Sequence, residues 1–296
     1  MSTSPATLQN PFCLEPVKGP AQFFGRKNET RQALSFLSRR QSISVVGATK
    51  SGKTSFLFHV AHPEVRAQHG LAEEQIFVYI DGRLLADCDL DQGYLSVQEK
   101  TICQVREAAS LDEAIKIGLE RAVGEAGSQT AYLGLHTLFR TSHASGLQLV
   151  VALDDFEFLA YNPHLGHRFF SALRSLHTSY RVAYLVASQS PLYTLERVLP
   201  ESSPFFNIFQ PVPLGLLTPE ESHALVVTLL QGAGAKFPQF AIDCILELGQ
   251  NTPYHLQRAG YIAFQIWQEN GRAVQAIHCE KIREKFGRDE YYAQHA

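Results

Sequence analysis

The feature that most constrains this chain is residues 47–54, which read G-A-T-K-S-G-K-T. They match the pattern G-x-x-x-x-G-K-[ST], in which glycines allow backbone angles that turn successive N–H groups inward around an anion. A β-branched segment, residues 42–46, precedes this stretch, and an apolar segment of helical character, residues 55–61, follows it. Strand, loop and helix in this order are the setting of a phosphate-binding loop; the alternative is a turn with an incidental lysine. We interpret the stretch as a phosphate-binding loop.

The residue types within this loop have separate physical tasks. Lys53 is expected to reach the β- and γ-phosphates of a nucleotide, and the hydroxyl of Thr54 is expected to ligate Mg²⁺. The helix that begins near Gly52 directs the positive end of its dipole at the same anion. The predicted nucleotide-binding residues of the loop are Gly47, Ala48, Thr49, Lys50, Ser51, Gly52, Lys53, Thr54 and Ser55.

A loop of this kind needs an acid that positions the metal at the end of a neighbouring strand. About a hundred residues downstream, a continuous apolar strand over residues 147–153 leads into Asp154, Asp155 and Glu157. We predict that Asp154 holds Mg²⁺. Asp155 stands where many proteins with such a loop have a glutamate that polarises the attacking water, and Glu157, close behind it, is a candidate to share that task. The alternative is that Asp154 only caps the end of the strand.

Two further polar residues are candidates for the same site. Ser188, at the end of the next predicted strand, is placed to touch the γ-phosphate, but a polar turn before Pro191 explains it equally well. Arg174, on the helix between these strands, is a candidate for reaching the phosphate of a neighbouring subunit. The alternative is that Arg174 is an ordinary solvated arginine on a helix face.

The alternation of strands and helices up to Pro213 predicts an α/β fold, with a three-layer αβα core around a parallel sheet. Its strands are expected at residues 42–46, 75–80, 147–153, 181–187 and 205–212. A mostly helical insertion is expected at about 93–145, with a capping box that begins at Ser110. After Pro213 only helices are expected, the first beginning at Thr218, Pro219 and Glu221. The predicted domains are an irregular arm (1–22), the core (23–213) and a small all-helical domain (214–296).

Composition and charge restrict the class of function. The net charge is −3, from 26 basic and 29 acidic residues, so the chain as a whole does not attract nucleic acid or acidic lipid. The N-terminus lacks the order of a signal peptide, and the apolar runs are too short to span a bilayer. Five scattered cysteines without a C-x-x-C pair favour reduced thiols. We expect a cytoplasmic protein without a membrane partner.

From Pro11 to about Phe286 the chain resembles the bacterial STAND-type ATPases, a signalling branch close to the AAA+ proteins. Residues 10–12 and 23–26 resemble the N-terminal motif of that family, and residues 46–54 and 153–157 its Walker A and Walker B motifs. Residues 202–209 resemble a segment that closes the family's core domain. Residues 214–221 and 249–257, the latter a G-x-x-x-P-Y-x-L-Q motif, resemble its helical lid.

This resemblance implies that the nucleotide is ATP and that the helical domain is a lid. It also implies that Phe24, Gly25 and Arg26 lie near the adenine, and that Pro253 lies near the base or ribose. One departure is Asp155, which stands where the closest relatives have glutamate, although Asp-Asp is usual elsewhere among STAND proteins. The chain also stops after the lid, where many relatives continue into further domains.

The family implies a switch in which ATP closes the lid and assembles subunits, and in which hydrolysis or exchange resets them. We therefore expect a slow ATPase that forms homo-oligomers and controls a separately encoded partner in signalling or defence. Two alternatives remain: an AAA+ regulator or loader that acts on nucleic acid, and a nucleotide-binding scaffold that does not hydrolyse. Nucleic acid is the less favoured partner, because the only basic cluster lies in residues 26–40. The only residue that favours a scaffold without hydrolysis is Asp155, which replaces the glutamate of the closest relatives.

Overall fold

The computed structural model describes residues 8–71, 75–108, 111–196 and 204–295 of the 296-residue chain. These residues fall into two units. The lid unit comprises the chain up to residue 26, residues 49–55 and the chain from residue 215. The sheet unit comprises residues 27–48 and 56–214. Most of the phosphate-binding loop therefore groups with the C-terminal helices.

The sheet unit is built on five parallel strands in the spatial order β2-β3-β4-β1-β5. The strands are β1 (Ser42–Val46), β2 (Gln75–Asp81), β3 (Gln148–Asp154), β4 (Ala183–Ser188) and β5 (Phe209–Pro213). Every residue of β4 is buried, as is all of β3 except its first residue. Strands covered by helices on both faces have such continuous apolar character, so the predicted α/β class with a three-layer core is confirmed.

Nine α-helices lie wholly or mostly within the sheet unit, counted over the described residues. They are α1 (Lys27–Ser38), α2 (Lys53–Ala61), α3 (Pro63–Gln68), α4 (Leu90–Glu107), α5 (Glu113–Gly127), α6 (Ala131–Ala144), α7 (Glu157–Tyr161), α8 (Gly166–Tyr180) and α9 (Leu192–Glu196). Helices α4, α5 and α6 occupy the region where the helical insertion was expected. Helix α4 packs against β2 and α6 against β3, whereas α5 packs on α6 and α4.

The lid unit is helical, as the sequence predicts for this region. Its helices are α10 (Pro219–Gly232), α11 (Gln239–Gly249), α12 (Pro253–Glu269) and α13 (Ala276–His295). Helix α10 begins as predicted, because Thr218 accepts a hydrogen bond from the Glu221 amide and the Glu221 carboxylate accepts one from the Thr218 amide. The N-terminal arm belongs to the same core: Phe12 is buried among the lid helices, and the Asn10 side chain donates to the Tyr261 carbonyl.

The sheet unit differs from the sequence-based expectations at its last strand and in its strand order. The last strand was expected from residue 205, but residues 204–208 form a short 3-10 helix and β5 begins at Phe209. The acid-bearing strand was expected beside β1, but β4 lies between β1 and β3. The expected capping residue Ser110 lies outside the described residues, and α5 is capped by Asp112, whose carboxylate accepts from the Ala114 amide.

Candidate nucleotide site

The phosphate-binding loop follows β1 and ends where α2 begins, at Lys53. Lys50 and Gly52 have φ values of +68° and +90°, so the loop turns through left-handed conformations that direct backbone N–H groups toward one side. Ser51 and Lys53 are buried, and no hydrogen-bond partner for the Ser51 hydroxyl is found among the described residues. A buried ammonium group and an unsatisfied hydroxyl beside the N-terminus of a helix fit the oxygens of a phosphate.

Within the lid unit, the start of α12 lies against this loop. A Cβ atom built on Gly52 would lie 3.7 Å from Cγ of Pro253, which is ordinary van der Waals contact. Lys50 Nζ is 4.9 Å from the centre of the Tyr254 ring, within the range of a cation–π interaction. The arm reaches the same loop, because the Val17 amide donates to Oγ of Ser55 at 3.0 Å. Pro253, which was selected from the family resemblance, is therefore a neighbour of the loop.

The N-terminal motif is bonded to the beginning of the lid. The Arg26 guanidinium is buried and donates to the carbonyls of Gly215, at 2.5 Å, and Leu216, at 3.4 Å. Its backbone amide donates to Oε1 of Glu221 at 2.9 Å. The same carboxyl fills the space beside Gly25, where a Cβ would lie only 2.6 Å from it. Phe24 packs against the lid core. The motif thus joins the arm to the segment that enters α10.

In the sheet unit, the carboxylate of Asp154 is buried at the end of β3. Its Oδ1 accepts the amide of Asp155 at 3.0 Å, and its Oδ2 accepts the hydroxyl of Tyr79, on β2, at 2.9 Å. Burial raises the pKa of Tyr79 well above its ordinary value, and the charge of Asp154 raises it further. Tyr79 therefore remains a hydrogen-bond donor. Because all five strands are parallel, Asp154 lies at the same edge of the sheet as the end of β1.

Asp155 is held in an uncommon conformation beside an arginine. Its φ is +44°, and its Oδ2 lies 3.5 Å from Nε of Arg83. Arg83 also pairs with Asp81, with 2.6 Å between Nη2 and Oδ2, and its hydrogen bond lowers the pKa of Asp81. Gly82 permits the segment after β2 to approach the end of β3 closely, because a Cβ at this residue would lie 2.6 Å from the carbonyl oxygens of both Asp154 and Asp155.

Glu157 and Ser188 organise the loop that follows β4. The Glu157 carboxylate accepts the backbone amides of Gln189 and Ser190. The Ser188 hydroxyl is buried and donates to the Ser190 carbonyl at 2.8 Å, while the Ser188 carbonyl accepts the amide of Gly47 at 3.1 Å. The first residue of the phosphate-binding loop is thus bonded to the end of β4.

Arg174 lies on α8, one turn before His177. The His177 Nδ1 atom is 2.7 Å from the Val182 carbonyl and 3.5 Å from the hydroxyl of Ser42, at the first residue of β1. Arg174 is therefore nearer the amino-terminal edge of the sheet than its neighbour Arg168, which is exposed on the first turn of the same helix.

Sequence reasoning missed Tyr79 and Arg83. Neither belongs to a recognisable motif. Tyr79 contacts Asp154 and Arg83 contacts Asp155, which are more than 70 residues away in the sequence. The available signal was the polar end of β2, which reads Y-I-D-G-R and which a parallel sheet brings to the same edge as Asp154. No group of three or more metal-ligating His, Cys, Asp or Glu side chains occurs among the described residues. Nor is any helix in the described part long and apolar enough to cross a membrane.

The parallel sheet, the loop after its β1 strand and the acid at the end of β3 together define a P-loop NTPase. The chain belongs to the family described as Novel STAND NTPase 1, whose sequence model it matches over residues 17–288. No curated protein matches it in sequence. The resemblance to STAND-type ATPases is therefore confirmed at the level of the family.

Several solved structures have the same fold as this chain. A Walker-type ATPase of Pyrococcus abyssi is similar with a TM-score of 0.68 and 16% identity, over 97% of this chain and 80% of that one. The ORC2 protein of Aeropyrum pernix, in ADPNP and ADP complexes, has a TM-score of 0.69 and 13% identity, over 92% of this chain and 70% of that one. The ORC1 protein of the same organism, in complex with DNA, has a TM-score of 0.58 and 16% identity, over 93% and 68%.

Proposed function

We propose that this protein binds Mg-ATP, hydrolyses it slowly and uses the nucleotide as a switch. The observation that carries the proposal is the phosphate-binding loop. In a member of the STAND family, it combines left-handed turns at Lys50 and Gly52 with the buried Lys53 at the start of α2. A guanine nucleotide would fit the same phosphate loop, so the choice of ATP rests on the family.

The residues present suit the phosphates and the metal. Backbone amides of residues 47–55 and the Lys53 ammonium would hold the phosphates, with the hydroxyl of Ser51 turned toward them. Thr54 and Asp154 would hold Mg²⁺, since a hydroxyl and a carboxylate are the hard oxygen ligands that this ion prefers. When bound, the metal neutralises charge on the β- and γ-phosphates. Phe24, Gly25, Arg26 and Pro253 would form the base side of the site, as in the family.

Hydrolysis would depend on Asp155, which orients the attacking water. Glu157 is proposed to share this task and Ser188 to monitor the γ-phosphate, although both side chains bond to the loop after β4 in this structure. Asp155 is one methylene shorter than the glutamate of the closest relatives, and its carboxylate is already paired with Arg83. Both features lower the rate, because a general base must reach the proton that it removes.

The switch would act through the lid unit. Pro253 and Tyr254 open α12 and lie against Gly52 and Lys50, so a ligand that changes the loop also changes the contacts of α12. We propose that this change assembles copies of the chain, with Arg174 completing a neighbouring site, and controls a separate protein in signalling or defence. The cytoplasm is the proposed location, in keeping with five cysteines that form no disulfide in the part of the chain described.

The direct test is nucleotide-dependent stabilisation. Wild type should melt at a higher temperature with Mg-ATP, because a ligand at about a hundred times its Kd adds about 2.7 kcal/mol to the free energy of unfolding. Lys53→Ala should lose this shift, since it removes the charge aimed at the phosphates. Lys100→Ala, on the exposed side of α4, is the matched control and should retain it. If Lys53→Ala responds to ATP as wild type does, the site is assigned wrongly.

Two measurements separate this proposal from its alternatives. Release of inorganic phosphate by wild type, but not by Lys53→Ala, rules out a scaffold that only binds nucleotide. The DNA complex of the similar ORC1 protein motivates the second measurement, which is salt-dependent binding to duplex DNA. Lys27 and Arg31 on α1, and Arg39 directly after it, are exposed, whereas Arg26, directly before the helix, is buried. If DNA binding weakens steeply with salt and requires these residues, the protein is a regulator or loader on nucleic acid.

A further inference from the structure

The hydroxyl of Tyr79 makes a hydrogen bond that the proposed ATPase function leaves unexplained. It donates to Oδ2 of Asp154 at 2.9 Å, while Oδ1 of the same carboxylate accepts the amide of Asp155 at 3.0 Å. Asp154 is only 2% exposed, so its carboxylate orientation depends on protein groups rather than on bulk water. Two donors, one on each oxygen, fix the plane of the carboxylate.

The position of the tyrosine follows from the register of the sheet. On β2 and β3, Tyr79 pairs with Ala152, and Asp81 pairs with Asp154. Side chains alternate along a strand, so Tyr79 and Asp154 project from the same face and are diagonal neighbours. A diagonal separation is too long for most side chains but suits the length of a phenol ring. A serine or threonine at position 79 would not span this distance.

The ring itself is held by a second contact. Its centre lies 4.8 Å from the centre of the Phe58 ring, at an interplanar angle of 41°. Phe58 belongs to α2, the helix that starts at the end of the phosphate-binding loop. The hydroxyl therefore reaches Asp154 from a ring that is packed against this helix.

We propose that Tyr79 is the positioning residue of the metal site, and that its hydroxyl sets the orientation in which Asp154 meets Mg²⁺. This inference rests on the proposed function. Mg²⁺ demands near-ideal octahedral geometry and keeps several of its waters, so a carboxylate that rotates binds it poorly. Residues that hold metal ligands by hydrogen bonds commonly change metal affinity or activity by about 10–100-fold when they are removed.

The test is Tyr79→Phe, which keeps the ring and its packing on Phe58 and removes only the hydroxyl. The Mg²⁺ concentration that gives half of the ATP-dependent melting shift should rise by about 10–100-fold. The affinity for ATP in EDTA should stay as in wild type, since the phosphate-binding loop is unchanged. A purely structural hydroxyl would lower the melting temperature of the free protein and leave the Mg²⁺ dependence unchanged.

Tyr184→Phe is the matched control. Tyr184 is a fully buried tyrosine on β4 of the same sheet, and its hydroxyl donates to the Leu173 carbonyl at 2.9 Å. The control should lose stability without any change in Mg²⁺ dependence. Should Tyr79→Phe fail to fold, Phe58→Leu tests the same idea, because it loosens the ring and keeps the hydroxyl. It should raise the required Mg²⁺ concentration, again without changing ATP affinity in EDTA.

The outcomes separate the inference from the function on which it rests. If wild type responds to Mg-ATP and the Tyr79→Phe protein has the same Mg²⁺ dependence, Tyr79 does not position the metal ligand and only this inference is wrong. If Tyr79→Phe does not fold and Phe58→Leu is used instead, the inference is wrong when the Phe58→Leu protein has the same Mg²⁺ dependence as wild type. If wild type itself shows no melting shift with Mg-ATP, the proposed function fails and the inference fails with it.

Discussion

Arg83 Nε lies 3.5 Å from Oδ2 of Asp155, and the same guanidinium binds both oxygens of Asp81. One arginine just after β2 therefore contacts both the carboxylate that ends β2 and the carboxylate that follows β3. Arg83 is largely exposed, with 62% of its side chain accessible, so its pair with Asp155 is weak and water competes with it. The carboxylate proposed to orient the water is thus restrained by an interaction that can be broken.

The first prediction concerns the rate of hydrolysis. Asp155→Glu should hold or raise the slow basal rate, because the added methylene extends the carboxylate toward the water. Asp154→Ala should abolish Mg²⁺-dependent activity. Phosphate release at saturating ATP measures both effects, with Asp91→Glu, on the exposed first turn of α4, as the control for the same chemical change. A wild-type enzyme that is fast as a monomer would contradict this account.

The second prediction concerns a group supplied by a neighbouring copy. An arginine that completes a site in this way is worth about 10³–10⁵ in rate in related enzymes. Specific activity should therefore rise with protein concentration, and Arg174→Ala should flatten the rise while ATP affinity stays nearly unchanged.

Arg174 lies toward the amino-terminal edge of the sheet, so Arg168→Ala, at the other end of α8, is a necessary parallel variant; Arg181→Ala, at the C-cap of α8, is tested beside it. Arg121, which is 80% exposed on α5 and pairs with Glu125, provides the control substitution Arg121→Ala. Activity that does not depend on concentration would remove the need for any such arginine.

The third prediction concerns pH. Burial, and then the charges of His62 and His69, lower the pKa of His59 on α2 to about 4. An unfolded histidine has a pKa of about 6.5, so between these values the unfolded state binds more protons and stability falls as pH falls. His59→Gln removes this contribution.

The free energy of unfolding of wild type should therefore drop relative to His59→Gln between pH 7 and pH 4.5. The expected difference is about 1–2 kcal/mol, less than the shift alone implies because the ring is partly exposed. Urea unfolding without nucleotide measures it, and His164→Gln, at an exposed position, should follow wild type. Parallel curves for wild type and His59→Gln would show that His59 has an ordinary pKa.

Local sequence patterns predicted the parts of this fold that depend on neighbours in the chain. The phosphate-binding loop, the apolar β3 strand with Asp154 at its end, and the capped start of α10 at Thr218 are all encoded within about ten residues. The 3-10 segment before β5 was missed because Phe205 and Phe206 are consecutive and both buried. A strand would send them to opposite faces, whereas the turn lets both rings pack on Phe170, with centroids 5.7 and 5.4 Å away.

The features that could not be predicted from the sequence are contacts between residues that are distant in the chain. The sequence of β4 does not indicate that this strand lies between β1 and β3. This strand order places the Ser188 carbonyl where it accepts a hydrogen bond from the Gly47 amide. In the same way, the link from Tyr79 to Asp154 depends on strand register. The Arg26 side chain was expected near the adenine, and its bonds to the Gly215 and Leu216 carbonyls were not foreseen.

The last prediction concerns a partner protein. A nucleotide can shift an equilibrium only if some other binding event or activity responds to it. In the insertion, α4 and α6 already pack against β2 and β3, whereas α5 is carried on these two helices. Leu119 and Val123 bury the inner side of α5, but Ile117 on the same helix is 61% exposed. This helix exceeds what covering the sheet requires, so we expect it or the lid to carry a docking surface for a separately encoded protein.

A pull-down from native cells tests this, with wild type and Lys53→Ala, each with and without ATP. The expected result is a protein that wild type captures in one nucleotide state and that Lys53→Ala does not capture in that state. Ile117→Asp should lose the same protein while keeping the melting shift with Mg-ATP, because the residue is remote in sequence from the phosphate-binding loop and exposed on α5. If Ile117→Asp still captures it, the docking surface is on the lid rather than on α5. A protein that stays monomeric and captures nothing in every state would refute control of a partner.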